Sequence, residues 1–137
     1  MPQRSPHLID ALRETARRLD AGARYEWGHM GRCNCGHLVQ TLTGMTDLEI
    51  VRAVDYALDE WTEHARDYCA GTGHRVDDLF QTLQRAGLAP DDLARLEYLS
   101  DARVLRRLPP DRTPLHHNDP RDAALYMRTL ADVLEEA

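Results

Sequence analysis

Apolar residues in this chain return every three or four positions and hardly ever every two, so the pattern reads as helix throughout. Ser5-Pro6 supplies an N-cap and a first helical position. Leu8, Ile9, Leu12, Ala16 and Leu19 then follow on one face, and Gly22 closes the segment. Gly22, Gly28 and Gly31 mark residues 22–32 as a loop. A short helix is predicted from Cys35 to about Thr43, with Leu38, Val39 and Leu42 turned inward and Gly44 ending it.

The strongest periodicity starts at Thr46-Asp47-Leu48-Glu49, a capping box in which the Thr and the Glu three residues later satisfy free N–H groups of the first turn. Val51, Val54, Leu58, Trp61, Ala65 and Tyr68 alternate steps of three and four, one apolar stripe along a helix of about 46–68. This helix is expected to be the long central element of the core. After a Gly-rich loop over 69–75, a helix begins at Val76-Asp77-Asp78-Leu79-Phe80 and ends at Gly87. Pro90-Asp91-Asp92 opens the next, with Pro at a first position and acids at the positive end of the dipole. Ser100-Asp101 caps a short piece through Leu108. Pro109, Pro110 and Pro114 make 109–119 a loop. Asp119-Pro120-Arg121-Asp122 opens a final helix carrying Leu125, Met127, Leu130 and Leu134. With no internal repeat or low-complexity tract, the predicted architecture is all-α. It is a single domain over 1–137, a bundle of six or seven helices around the long helix at about 46–68.

Composition adds three constraints. Aromatic residues make up only 6% of the chain, so the core must be built mainly from Leu, Val and Ala. The net charge of −6 is concentrated in the middle: residues 46–101 hold thirteen Asp and Glu against five Arg, a net of −8. That bias reads first as a solvated face and second as a docking surface for a basic partner. It disfavours non-specific nucleic-acid binding. All 17 basic side chains are Arg, so lysine Schiff-base and general-base chemistry are absent. The N-terminus Met1-Pro2-Gln3-Arg4-Ser5-Pro6 has no apolar run behind its charge, and no segment approaches the roughly 18 apolar residues of a membrane span. A cytoplasmic location without membrane contact is expected. In a reducing compartment, three cysteines point to metal binding or thiol chemistry rather than to disulfides.

The candidate chemistry lies in His29-Met30-Gly31-Arg32-Cys33-Asn34-Cys35-Gly36-His37, with the third cysteine at Cys69. Thiolates are soft ligands for Zn²⁺ and for iron–sulfur clusters, and Cys-x-Cys brings two sulfurs close enough to share one ion. A helix starting near Cys35 would place free N–H groups and a positive dipole end beside them. Cys33, Cys35 and Cys69 give three of the four ligands of a structural zinc site. The fourth is open among His29, His64, His37 and His74. Such a site would tie the 28–37 loop to the end of the central helix and couple metal binding to folding. The competing readings are a thiol-based redox switch or enzyme using Cys33 and Cys35, with Cys69 as resolving thiol, and cysteines that are simply small core residues.

Other constellations carry less. Glu60, His64 and Asp67 share one helical face, with Glu63 adjacent, but His64 has no Glu three residues ahead of it, and a di-iron bundle would require two such Glu-x-x-His pairs on helices. That face reads as solvated charge. His116-His117 reads as surface. Arg103, Arg106, Arg107 and Arg112 form a basic cluster after two helices, yet the candidate recognition helix would open on Asp91-Asp92, which phosphates repel.

The run Tyr25-x-Trp27-Gly28-His29-Met30-Gly31-x-Cys33-Asn34-Cys35-Gly36 resembles the WGHMGxCNCG signature of a family of small uncharacterised bacterial proteins. Tyr68-Cys69-x-x-Thr72-Gly73, Leu96-Glu97-x-Leu99-Ser100-Asp101 and Tyr126-Met127 are similar to the rest of its pattern. The resemblance implies that His29, Cys33, Cys35 and Cys69 belong together, which favours His29 as the fourth ligand; it implies no reaction. Where the family pattern has Cys-Pro, this chain has Cys69-Ala70. The expected function is therefore zinc binding, with an iron–sulfur centre or no metal as alternatives, in an interaction or regulatory module whose partner is another protein.

Overall fold

The computed structural model describes residues 2–27, 32–50 and 81–137, and every regular element in them is helical. The chain is all-α, as its periodicity predicts. We number the helices α1 (Pro6–Asp20), α2 (Asn34–Thr43), α3 (Pro90–Tyr98), α4 (Ala102–Leu105) and α5 (Pro120–Glu136), with a 3₁₀ turn at Pro110–Arg112. Residues 47–50 and 81–85 are also helical. The Thr46 capping box is formed: Glu49 N–H donates to Thr46 Oγ1 at 3.2 Å, and the Glu49 carboxylate accepts from Thr46 N–H at 3.3 Å. Beyond Ile50 the predicted central helix lies outside the described residues, as does the start of the helix expected from Val76.

Local chemistry explains where each helix starts. The Ser5 hydroxyl accepts from Leu8 N–H ahead of Pro6. Asp101 caps α4 by accepting from Arg103 N–H at 2.9 Å, and Asp119 caps α5 by accepting from Arg121 N–H at 2.9 Å, ahead of Pro120. At α3 the acid read as a dipole partner does more. Asp92 is buried and its carboxylate folds back on the Ala89 N–H at 2.9 Å. Gly22, Gly44 and Gly87 all end helical segments at positive φ, where a Cβ would be strained.

The core is built on α1 and α5, packed along each other, with α2 laid against α1 and α3 against α2. The predicted stripe of α1 is buried as a whole: Leu8, Ile9, Leu12, Ala16 and Leu19. On α5 the buried face is Ala123, Ala124, Tyr126, Met127, Leu130, Ala131 and Leu134, while Leu125 is only half-buried. Met127, Leu130 and Leu134 are thus buried as predicted, and beside Leu125 it is Tyr126 that turns fully inward, burying its ring while its hydroxyl accepts from Asp101 N–H at 3.1 Å. Arg13 pairs with Asp132 and Glu135, and Arg128 with Asp20, so arginines also bridge α1 and α5 at the surface.

The proline loop is pinned by Asp122. Burial would raise this carboxyl, but the His116 N–H and the Arg112 guanidinium, each at 2.9 Å, outweigh it and hold its pKa below the ordinary 3.8. A carboxylate depressed in the folded state stabilises the protein above the unfolded-state value, and the contribution disappears as pH falls through the folded-state value. Asp122→Asn is expected to cost about 1.5–3 kcal/mol at neutral pH. It should also flatten the loss of stability below about pH 4, read as urea midpoints compared with the wild type.

Candidate metal centre

The site grows from the start of α2. Cys33 is its N-cap, with extended backbone, and its sulfur accepts the Gly36 N–H at 3.3 Å. Asn34, Gly36 and His37 are buried directly behind it. The helix thus begins one residue before the predicted start, and its first-turn N–H groups serve the Cys33 sulfur, while the Cys35 sulfur meets a carbonyl instead. Neither Cys33 nor Cys35 is in a disulfide; Cys33 is buried and Cys35 half-buried.

The group facing them comes from the end of α3, 62 residues further on. Glu97 Oε1 accepts the Cys35 N–H at 2.6 Å, which brings a negative charge close to both thiols. The Cys35 sulfur also lies 3.6 Å from the Leu93 carbonyl. Burial, then the negative charge of Glu97, push both thiols well above their ordinary value. The Gly36 N–H pulls Cys33 the other way and loses. Low dielectric and a neighbouring carboxylate therefore outweigh the helix terminus. Left to themselves, both sulfurs stay protonated at neutral pH.

Helix α3 stops at Leu99, which adopts φ +51, a left-handed conformation that a non-glycine residue holds at some cost. Its buried side chain offsets that cost. The abrupt end leaves the carbonyls of Leu96 and Glu97 without helical partners. Asn34 Nδ2 covers them at 3.3 and 2.9 Å, and Trp27 Nε1 donates to the Glu97 carbonyl at 3.2 Å. Asn34, fully buried, also donates to the His117 carbonyl at 3.3 Å, and its Oδ1 accepts from the Tyr25 hydroxyl at 2.7 Å. The residue between the two cysteines therefore joins α2 to α3, to the loop before the site and to the proline loop. Tyr25 stacks on His37, ring centroids 5.9 Å apart. His37 Nε2 bonds the Arg24 carbonyl at 2.8 Å, while its Nδ1 has no partner among the described residues. Burial lowers the His37 pKa and keeps the ring neutral. On the outer side, Trp27, Tyr98 and His117 pack into one aromatic face, with Trp27 and His117 centroids 4.5 Å apart. Arg32, paired with Asp47 at 2.7 Å, fixes the chain where it enters Cys33.

Of the predicted ligands, Cys33 and Cys35 are brought together, while His29 and Cys69 lie outside the described residues. So do His64, His74, Glu60, Glu63 and Asp67. His37 is committed to the Arg24 carbonyl rather than wrapped back toward Cys35. His116 is exposed, as expected, but the His117 ring is engaged by Trp27 and Tyr98. In the basic cluster, Arg107 pairs with Glu136 and Arg112 with Asp122. Glu97 and Asn34 carry the site's polar chemistry, and sequence reasoning gave neither a role. Both stood inside motifs of the family resemblance, the one signal that could have marked them. Among the described residues, no set of three His, Cys, Asp or Glu side chains is placed to hold a metal ion. No helix among them is long and apolar enough to cross a membrane. No protein-family model, curated protein or solved structure matches the chain.

Proposed function

We propose that this protein is a zinc-binding helical module in which Cys33 and Cys35 supply two ligands and His29 and Cys69 complete the set. The observation that carries the reading is the pair of thiols at the start of α2, with Glu97 beside them accepting the Cys35 N–H at 2.6 Å. Two thiols and a carboxylate stand near one another in a largely buried place; they are not by themselves a ligand set, and the reading draws on His29 and Cys69 to complete one. Such a cluster is neutralised either by protons or by a cation, and a soft divalent ion strips protons from coordinating thiols outright. Zinc fits two adjacent sulfurs, and its preference for four protein ligands in structural sites gives His29 and Cys69 a common purpose. The ion would supply a cross-link between the 29–37 segment and residue 69, with no chemistry of bond cleavage required.

The thiol-redox and nucleophile readings have less support, since reactive thiols need a lowered pKa and both of these are raised. With its acidic middle and its exposed Trp27 and Tyr98, the module is suited to protein–protein contact in a regulatory or scaffolding role.

Elemental analysis of protein purified anaerobically from metal-replete cells tests the reading. The expected result is colourless protein with about one zinc per chain. Brown protein containing iron and sulfide would assign an iron–sulfur centre to the same ligands instead. Metal-free protein that takes up no added zinc would reject a metal role.

A further inference from the structure

We propose that the cleft between the C-terminal half of α1 and the turn after α2 is a binding site for a small monocarboxylate, with Arg18 as its anchor. The cleft has a volume of about 460 Å³, and its walls include Glu14 and Arg18 of α1, Gln40 and Thr41 of α2, and Met45 and Asp47 of the turn. That size falls within the roughly 300–1,000 Å³ of small-molecule sites. Arg18 differs from the arginines that form ion pairs. Arg13, Arg17, Arg32, Arg107, Arg112 and Arg128 each meet a carboxylate. The Arg18 guanidinium instead donates to two neutral acceptors, Gln40 Oε1 at 2.5 Å and Thr41 Oγ1 at 3.0 Å, and pairs with no carboxylate among the described residues.

The acceptors are themselves held in place. Gln40 is buried. The Thr41 hydroxyl lies 3.2 Å from the His37 carbonyl and 2.7 Å from the hydroxyl of Thr15, a fully buried residue that gives its own proton to the Ala11 carbonyl at 2.7 Å. The guanidinium is thus fixed before any ligand arrives, as a planar fork must be to grip a carboxylate through two parallel N–H bonds at little entropic cost. Gln40 and Thr41 take two of its five N–H groups, which leaves three for a ligand. The acids on the walls limit the charge that ligand can carry. Both oxygens of Glu14 are taken by Arg17, at 2.9 and 2.6 Å, and Asp47 is taken by Arg32 at 2.7 Å, so neither is drawn onto Arg18. Their charges still line the same cleft and repel a second negative group. The half-buried Met45 gives a short hydrocarbon body an apolar wall, and Gly44 beside it has open space where a side chain would stand.

The test is a titration of the intact chain with sodium butyrate, followed in nitrogen–proton correlation spectra that include the arginine Nε–H signals, with sodium chloride at matched ionic strength as the reference. The expected result is a saturable shift of the Arg18 Nε–H and of the backbone amides of residues 40–47, with a Kd in the millimolar range. Sodium succinate, with the same chain length and a second carboxylate, should bind about tenfold more weakly. No saturable shift with butyrate, shifts centred outside the cleft, or equal binding of succinate would each overturn the proposal. Arg18→Gln, shown to be folded by circular dichroism, should weaken butyrate binding by about tenfold or more. A folded variant of unchanged affinity overturns the proposal as well. If Arg18→Gln does not fold, Glu14→Gln decides: removal of one wall acid should narrow the gap between succinate and butyrate several-fold, and an unchanged gap rejects the site.

Discussion

In excess zinc, Cys33→Ser and Cys35→Ser are each expected to melt on the order of 10 °C below the wild type, and the gap should close when a chelator is added. The size follows from linkage. A ligand held only by the folded state, at a free concentration a thousand times its Kd, stabilises it by about 4 kcal/mol. In a domain of this length that corresponds to roughly 10–15 °C in Tm. The chelator arm separates loss of a ligand from loss of packing. Serine at position 33 still offers an oxygen to the Gly36 N–H that the sulfur now holds at 3.3 Å, and Ser is a strong N-cap. Metal-free Cys33→Ser should therefore be nearly as stable as the metal-free wild type. A variant equally destabilised with and without zinc would show the sulfur to be a packing atom only. The readout is thermal unfolding by circular dichroism, paired with zinc content after gel filtration.

Asn34→Ala should destabilise the protein by on the order of 3 kcal/mol whether or not zinc is present. The side chain is fully buried and makes hydrogen bonds with Tyr25, Leu96, Glu97 and His117. Tyr25 keeps a second acceptor, the His117 carbonyl at 2.8 Å, and the Glu97 carbonyl keeps Trp27. The Leu96 carbonyl loses the partner described for it. Asn34→Asp is expected to be worse, because a carboxylate would face three carbonyl oxygens it cannot donate to. Urea midpoints for both variants check the order. A change of less than about 1 kcal/mol in Asn34→Ala would mean that water or neighbouring groups replace the amide without loss.

Helix starts were legible because their chemistry is local. Ser5-Pro6, Thr46 with Glu49, Pro90 and Asp119-Pro120 each read correctly from a few adjacent residues, and the α1 stripe followed from spacing alone. On α5, Met127, Leu130 and Leu134 were read correctly and Tyr126 was missed for a reason spacing does not carry: its ring is apolar enough to bury and its hydroxyl answers an N–H in another segment. The site divides the same way. The Cys-x-Cys turn at a helix N-terminus was visible as a motif, but its electrostatics were not. Glu97 comes from 62 residues away, and burial first and its charge second raise the thiols against the pull of the helix terminus. Asn34 was hidden for the opposite reason. Standing between two cysteines, it looked like a spacer, and a buried polar residue shows itself only once the carbonyls it covers are known.

The pairing of α1 with α5 has a consequence for how the molecule is made. The apolar stripe from Leu8 to Leu19 finds its opposite wall on residues 123–134. During synthesis, that stripe leaves the ribosome long before its wall exists, at a rate of about 5–20 residues per second. The first helix is thus a sticky amphipathic segment for several seconds of every translation event, and closure of the core is a late, long-range step rather than a local one. Substitutions that weaken α5 should therefore be felt first as aggregation of newly made chains, before any property of the finished molecule changes.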